Sequence, residues 1–279
     1  MSVSLSVLTL ARGRRPHLQR LIDGLHRSIT VPGELIIVDM GGPPIELAAS
    51  LFPVKILALN NDRLPLARAR NLAAAEARHR FLVFLDVDCI PMAELLGALQ
   101  NTLEKHDALL CAEIHYLEEH ALQGQWNEAS LLRQSKTHPV RAFPPVGMRV
   151  EDNPGLFWSL AFAVRQARFD DLGGFDERFT GYGAEDTDFG LRAHDAGVEL
   201  LFMGGTGAFH QHHETFDPPL QHFEDIVRNA EVFHDIWGVW PMEGWLKSFE
   251  RLGLIRLGDR EIITVRPPTM IEIEMAKVG

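Results

Sequence analysis

The sequence predicts an α/β fold built on a mixed, mostly parallel sheet flanked by helices. Three observations carry that expectation. The first half alternates short apolar runs with amphipathic or Ala-rich stretches. Those apolar runs are nearly continuous, as in strands buried on both faces. The 279 residues are 46% hydrophobic and 23% charged, enough for one sizeable core.

Residues 3–10 read as the first strand, and 16–29 as a helix with Leu18, Leu21, Ile22 and Leu25 on one face. A second strand at 34–40 (ELIIVDM) stops at Gly41-Gly42-Pro43-Pro44, and a third spans 54–59. The Ala-rich stretch 64–78 is helical, and FLVFL at 81–85 is the next strand. Ligands of such sheets bind beyond the carboxyl ends of the strands, which draws attention to Asp39 and to Asp86-Val87-Asp88. The second half is less regular. Strands are expected at 107–116 and 156–164, separated by a polar loop holding Pro139, Pro144 and Pro145. A helix at 186–196, a strand at 198–203 and a helix at 220–237 follow. The Trp-rich stretch 237–254 reads as another helix, and the last residues as a strand and a tail. No internal repeat or low-complexity tract stands out.

Charge and cysteine content narrow the function classes. Lys and Arg total 27 against 38 for Asp and Glu, a formal charge of −11, and no basic stripe offsets it, so a nucleic-acid partner is not expected. Cys89 and Cys111 make neither a disulfide framework nor a Cys-x-x-Cys metal pair, which points to a reducing, cytoplasmic setting. The N-terminal apolar run precedes the basic residues, the reverse of a signal peptide. No apolar stretch approaches the roughly 20 residues of a membrane span, which leaves peripheral membrane contact open.

Four groups of residues have chemical potential, each with an ordinary structural reading beside it. Asp86 and Asp88 leave a buried strand together and suit a hard cation that also touches phosphate, although Asp is common in turns. Glu185, Asp186 and Asp188 open a helix behind Gly181-Tyr182-Gly183. The helix dipole or a cap accounts for one acid there better than for three, and a carboxylate can take a proton from an attacking hydroxyl. His210, His212 and His213 follow a strand and suit a divalent metal such as Mn²⁺, with the choice among them open. Arg68, Arg70 and Asn71 lie on the Ala-rich helix, Arg68 sharing a face with Leu72 and the other two pointing elsewhere. They read as solvated helix charges or as contacts to phosphate or to the strand-end carboxylates.

Taken in order, SVLTLARGR, ELIIVDMGG, LARARNLAAAEARHRFLVFLDVDC, FDDLGGFDERFTGYGAEDTDFGLRAHDAG and the histidine cluster resemble the GT-A-fold, family 2-type glycosyltransferases. The second half is also similar to the β-1,4-galactosyltransferase-like group. The resemblance implies a GT-A (Rossmann-like) domain over 1–217, with a nucleotide-binding half at 1–117 and an acceptor-binding half at 118–217. A C-terminal helical extension at 218–279 would pack on it. It implies transfer of a hexose from a nucleotide-diphosphate sugar, UDP-linked by preference, to a hydroxyl of a saccharide or small molecule, with inversion. The implied cofactor is a divalent metal, Mn²⁺ or Mg²⁺, on Asp88 and His210, with His212 and His213 as alternatives. Thr9, Arg12, Asp39, Arg68, Asn71, Asp86, Val87 and Asp88 would meet the donor. Asp186 would be the base with Glu185 beside it, and Trp158, Tyr182, Gly183 and Glu185 would border the acceptor. Asp39-Met40-Gly41-Gly42 departs from the family's Asp-Asp-Gly-Ser or Asp-Asn-Gly-Ser, and the first strand lacks its frequent Pro-Thr pair. A non-catalytic nucleotide-sugar binding protein of the same fold is the rival from a different class; it would keep the metal site without the base.

Overall fold

The computed structural model describes residues 5–59 and 63–278, so residues 3 and 4 of the expected first strand lie outside the described residues. In chain order the first half contains β1 (Leu5–Ala11), α1 (Arg15–Arg27), β2 (Glu34–Asp39), β3 (Val54–Ala58), α2 (Leu66–Ala75), β4 (Phe81–Leu85), β5 (Cys89–Pro91) and α3 (Leu95–Lys105). Then come β6 (Leu109–Leu117), α4 (Glu128–Arg133), β7 (Ser135–Thr137), β8 (Gly147–Val150), β9 (Ala161–Arg165), α5 (Gln166–Asp171), α6 (Glu185–Asp195) and β10 (Leu200–His210). The chain closes with β11 (Thr215–Phe216), α7 (Phe223–Trp237), α8 (Glu243–Arg251), β12 (Ile255–Leu257), β13 (Ile262–Thr264), α9 (Met270–Met275) and β14 (Lys277–Val278).

The main sheet runs β3-β2-β1-β4-β9-β6-β10-β5, with β7 on β6 and β8 on β10. β3, β2, β1 and β4 are mutually parallel, as are β6 and β10. β9 runs against both of its neighbours, which makes the sheet mixed. Every residue of β1 and β4 is buried, as near-continuous apolar strands require when both faces are covered. Side chains alternate between the two faces. Val7 and Val83 meet Leu18, Leu21 and Leu25 of α1 and Leu95 and Leu99 of α3. Leu8 and Phe84 meet Ala67, Ala73 and Ala74 of α2, whose small side chains let the helix lie close to the sheet.

The structure differs from the sequence reading in five places. Residues 154–156 form a 3₁₀ turn behind Asn153, whose side chain accepts from the Gly155 N–H, so the strand expected from 156 begins only at Ala161. The strand expected to end at 203 continues to His210 through an irregularity between Met203 and Gly207. The polar stretch read as loop holds α4, started by a capping box on Asn127, together with β7 and β8. Helix α3 and strand β5 occupy a segment to which the sequence reading assigned no element. At the C-terminal end α7 and α8 share a core through Phe223, Ile226, Leu246 and Phe249, and the expected strand and tail are a β12–β13 ribbon, α9 and β14 paired with β11. Among the described residues no helix is long and apolar enough to cross a membrane.

Phe162 of β9 ties the antiparallel strand into a ring cluster, stacking on Phe84 at 4.4 Å and packing near Phe157 at 5.0 Å. Phe162→Ala should cost about 3–5 kcal/mol of stability, read as a lowered denaturant midpoint at unchanged slope. A loss below about 1 kcal/mol would show that the cluster relaxes around the void.

Candidate active site

The parallel strands β1, β2 and β4 end at one edge of the sheet, where Ala11 lies in register with Asp39. Beyond β4 the chain turns sharply: the Cys89 N–H donates to the Asp86 carbonyl at 2.8 Å and leads into β5. β5 then pairs antiparallel with the end of β10, placing Cys89 opposite His210. The Gln211 N–H donates to the Asp88 carbonyl at 2.7 Å, so the carboxylate pair and the histidine segment share one backbone frame. Helix α1 braces the same segment, because Gln211 Nε2 donates to the His17 carbonyl and His17 Nε2 meets the His212 carbonyl.

Asp88 is the centre of this frame. His210 Nε2 stands 3.5 Å from Asp88 Oδ1 and His213 Nε2 3.4 Å from Oδ2, while Arg14 Nη1 donates to Oδ2 at 2.5 Å. One oxygen of Asp88 and one ring nitrogen from each of His210 and His213 lie within 4.8 Å of one another. Asp88 Oδ1 is buried without a hydrogen bond, the condition of an oxygen with room for a cation. A carboxylate with two imidazoles suits Mn²⁺ and other divalent ions of intermediate hardness. Burial alone would raise Asp88; His210, Arg14 and His213 more than offset it and hold the carboxyl well below its usual range. The Asp88 contact raises His213 above the ordinary histidine value, and burial lowers His210. His212 takes no part in this group among the described residues.

A second group joins the two halves of the sequence. Arg70 is buried on α2, donates from Nη1 to Glu185 Oε1 at 3.0 Å and holds Nη2 at 3.7 Å from Asp86 Oδ1. Burial would lower its pKa, but Glu185, Asp86 and Asp186 surround it and raise it instead. Asp86 is half-buried, and desolvation followed by the repulsion of Asp88, Glu185 and Asp186 pushes it up to about 7 against the pull of Arg70. Asp186 is pushed up to about 6, by burial first and then by Glu185, with N–H bonds from Thr187 and Ser159 in opposition. Among Asp86, Asp88, Glu185 and Asp186, Asp186 is the acid without an ion pair among the described residues.

The acids of α6 therefore have separate tasks. Asp188 is fully buried, accepting from Arg192 Nε at 2.8 Å and from Trp237 Nε1 at 3.0 Å, and so ties α6 to the end of α7. Glu185 is buried on Arg70, and Asp186 is left without an ion pair among the described residues. The approach to α6 is pinned: Asn229 of α7 donates to the carbonyls of Tyr182 and Gly183, and the Gly181 N–H donates to the Leu64 carbonyl at 2.8 Å. Gly181 has φ +81° and a Cβ there would lie 2.1 Å from Asp225 Cγ, so close packing requires this glycine. Ala184 enters the helix with a left-handed φ of 72°, a strain found where a site must be held in place.

The other expected positions divide. Thr9 is buried with Oγ1 unpartnered, Arg12 is exposed just past β1, and Asp39 Oδ1 accepts the Gly41 N–H at 3.0 Å. Val87 belongs to the core. Arg68 is exposed on α2, and Asn71 holds the Phe175 backbone through both of its amide atoms. Trp158 lies edge-on to His138 at 4.8 Å, and Tyr182 stacks on His222 at 4.4 Å. Arg70 outranks Arg68 and Asn71 in the site, and its signal was present in the sequence: Ala67, Arg70 and Ala74 fall on one helix face. Arg14, in the basic run after β1, had no comparable signal.

Residues 6–168 match the family model described as glycosyl transferase family 2, and residues 137–215 match that of the N-terminal domain of galactosyltransferase. Among curated proteins the chain is 21% identical over 215 residues to the chondroitin synthase of Pasteurella multocida (strain Pm70), covering 67% of this chain and 22% of that protein. It is 25% identical over 210 residues to the hyaluronan synthase of Pasteurella multocida, covering 64% and 21%. The chain thus spans about a fifth of the length of these relatives. Among solved structures, S. aureus TarS 1-349 superposes with a TM-score of 0.56 at 16% identity, covering 82% of this chain and 64% of that one. TarS 1-349 has also been solved with UDP-GlcNAc and with UDP. GalNAc-T7 with UDP, GalNAc and Mn²⁺ superposes with a TM-score of 0.57 at 17% identity, covering 75% and 44%. These structures share the GT-A fold.

Arg70→Met should destabilise the protein by roughly 3–5 kcal/mol, because Glu185 is left buried without its cation. Adding Glu185→Gln to that variant should recover most of the loss in urea denaturation; no recovery would mean that Arg70 acts through packing alone.

Proposed function

Because the chain belongs to glycosyl transferase family 2, and is a glycosyltransferase, we propose that it is a metal-dependent, inverting hexosyltransferase using a UDP-sugar donor. The observation that carries this reading is Asp88 grouped with two imidazoles beside an acid cluster in which Asp186 has no ion pair. UDP is favoured because TarS and GalNAc-T7 were solved with it. In this reading residues 1–217 are the catalytic domain, divided near 117 into donor and acceptor halves, and residues 218–279 are an extension packed on it.

Thr9, Arg12 and Asp39 line the donor pocket at the ends of β1 and β2, with Asp86 toward the ribose. When bound, a divalent cation on Asp88, His210 and His213 supplies positive charge against the diphosphate leaving group. Trp158 and Tyr182 border the acceptor. Asp186 takes the proton of the acceptor hydroxyl as that oxygen bonds to the anomeric carbon and the carbon–oxygen bond to the diphosphate breaks. Attack from the face opposite the leaving group inverts the centre, and UDP departs. Arg70 neutralises Glu185 and part of Asp86, which keeps the crowded carboxylates in place while Asp186 works. The acceptor is a saccharide or small-molecule hydroxyl, and the setting is cytoplasmic.

Titration calorimetry with UDP and with GDP, each with Mn²⁺ and with chelator, tests the donor site. UDP should bind only with Mn²⁺, and Asp88→Ala and His213→Ala should each weaken Mn²⁺ binding about tenfold or more, whereas His212→Ala should not. Failure of a folded protein to bind either nucleotide would overturn the reading. The base is tested separately. Asp186→Asn should keep UDP affinity while transfer falls by about 10²–10⁴. Since the raised pKa makes Asp186 lose its carboxylate form as pH falls through about 6, kcat/KM should decline on the acid side near that value. Transfer that survives in Asp186→Asn, or an acid limb near 4, would remove Asp186 from the role, and a wild-type protein that binds UDP without transferring would restore the non-catalytic alternative.

A further inference from the structure

Besides the exposed Arg12, three arginines stand near the proposed site, and two of them face carboxylates: Arg14 on Asp88 and Arg70 on Glu185 and Asp86. The third, Arg141, lies in the loop between β7 and β8 and is only 3% exposed, yet no acid forms an ion pair with it among the described residues. Its guanidinium lies between aromatic faces, 5.0 Å from the ring centres of Trp158 and Phe202 and 5.2 Å from that of Phe143. The Cys111 thiol hydrogen-bonds with it, but Nε and Nη2 are buried without partners. Rings compensate a buried guanidinium in part; they do not satisfy its N–H donors. Nε and Nη2 share one edge of the planar group, and that edge presents two parallel N–H bonds with the spacing of a carboxylate. The location is also informative. Trp158 precedes Ser159, whose backbone N–H holds Asp186, so the ring against which Arg141 packs adjoins a contact of the proposed base.

We propose that Arg141 is a carboxylate subsite, at which the Nε–Nη2 edge receives the carboxylate of a uronic-acid unit carried by the donor sugar or by the acceptor. The subsite selects charged over neutral saccharides for the transfer proposed above and rests on that reading. The same edge would grip a phosphate in the same way, so both arms below hold the diphosphate constant and vary only the carboxylate. Both donors are buried, so entry requires a neighbouring ring to move; His138 is half-buried, sits edge-on to Trp158, and its carbonyl accepts the Arg141 N–H.

The test is calorimetric binding in two arms, each with Mn²⁺ present. The donor arm compares UDP-glucuronate with UDP-glucose. The acceptor arm compares methyl glucuronoside with methyl glucoside on the UDP-bound protein. Wild-type protein should favour the charged member by about tenfold or more in one arm, and that arm identifies which substrate carries the acid. Arg141→Gln should reduce the preference to about twofold or less and leave UDP affinity unchanged. Should Arg141→Gln fail to fold, the Arg141 Nε–H resonance of wild-type protein decides: it should shift with the charged saccharide and stay fixed with the neutral one. Equal affinity for charged and neutral members in both arms, with UDP still bound, overturns the subsite alone. A preference that survives in folded Arg141→Gln does the same. Loss of all UDP binding overturns the transferase reading and the subsite with it.

Discussion

The candidate site depends on one buried cation. Arg70 reaches from α2 to Glu185 at the start of α6 and to Asp86 at the end of β4, so it links segments 115 residues apart in sequence. Without it three carboxylates would crowd a poorly solvated space, and their mutual repulsion would have to be relieved by protonation or by movement. With it Glu185 is held in an ion pair, Asp86 is partly compensated, and Asp186 is left without an ion pair among the described residues. The guanidinium thus sets which acid is left unpaired. Such a position can be filled only from a helix that approaches the sheet closely, and the alanines of α2 permit that approach.

A second constraint is the route of the chain after β4. A sheet edge of parallel strand ends gathers ligands but offers few side chains that point at one another. Here the turn at Asp86–Asp88 returns the chain antiparallel to the end of β10, and that single pairing aligns Asp88 with His210 and leads on to His213. The irregularity between Met203 and Gly207 lengthens β10 until it reaches this edge. The grouping of Asp88 with two imidazoles therefore follows from strand registry.

The same economy shapes α6. Three acids in its first turn favour its positive end, yet only part of their use is electrostatic in that general sense. Asp188 anchors the helix to Trp237, Glu185 accepts Arg70, and Asn229 and the leucine carbonyl at position 64 fix the backbone before it. The glycines at 181 and 183 serve close packing in this segment. They allow α7 and the residue before α8 to pack against it, since a side chain at 181 would overlap Asp225 and one at 183 would press on Met242.

The amino-acid sequence by itself determined the parallel strands β1 to β4, the helices α1 and α2 that flank them and the acids at strand and helix ends. Each of these follows from local periodicity or from residue preference over a few positions, as FLVFL followed by Asp86 illustrates. It also carried the family, because several short motifs in fixed order are specific together. What only the tertiary structure decided was partnership. His213 rather than His212 joins His210 on Asp88, Arg70 rather than Arg68 enters the acid cluster, Asn71 braces a loop, and Arg141 is buried without an acid. Those outcomes depend on contacts between residues tens to more than a hundred positions apart. Spacing along one strand or helix fixes the direction of a side chain but not what the rest of the chain brings to meet it.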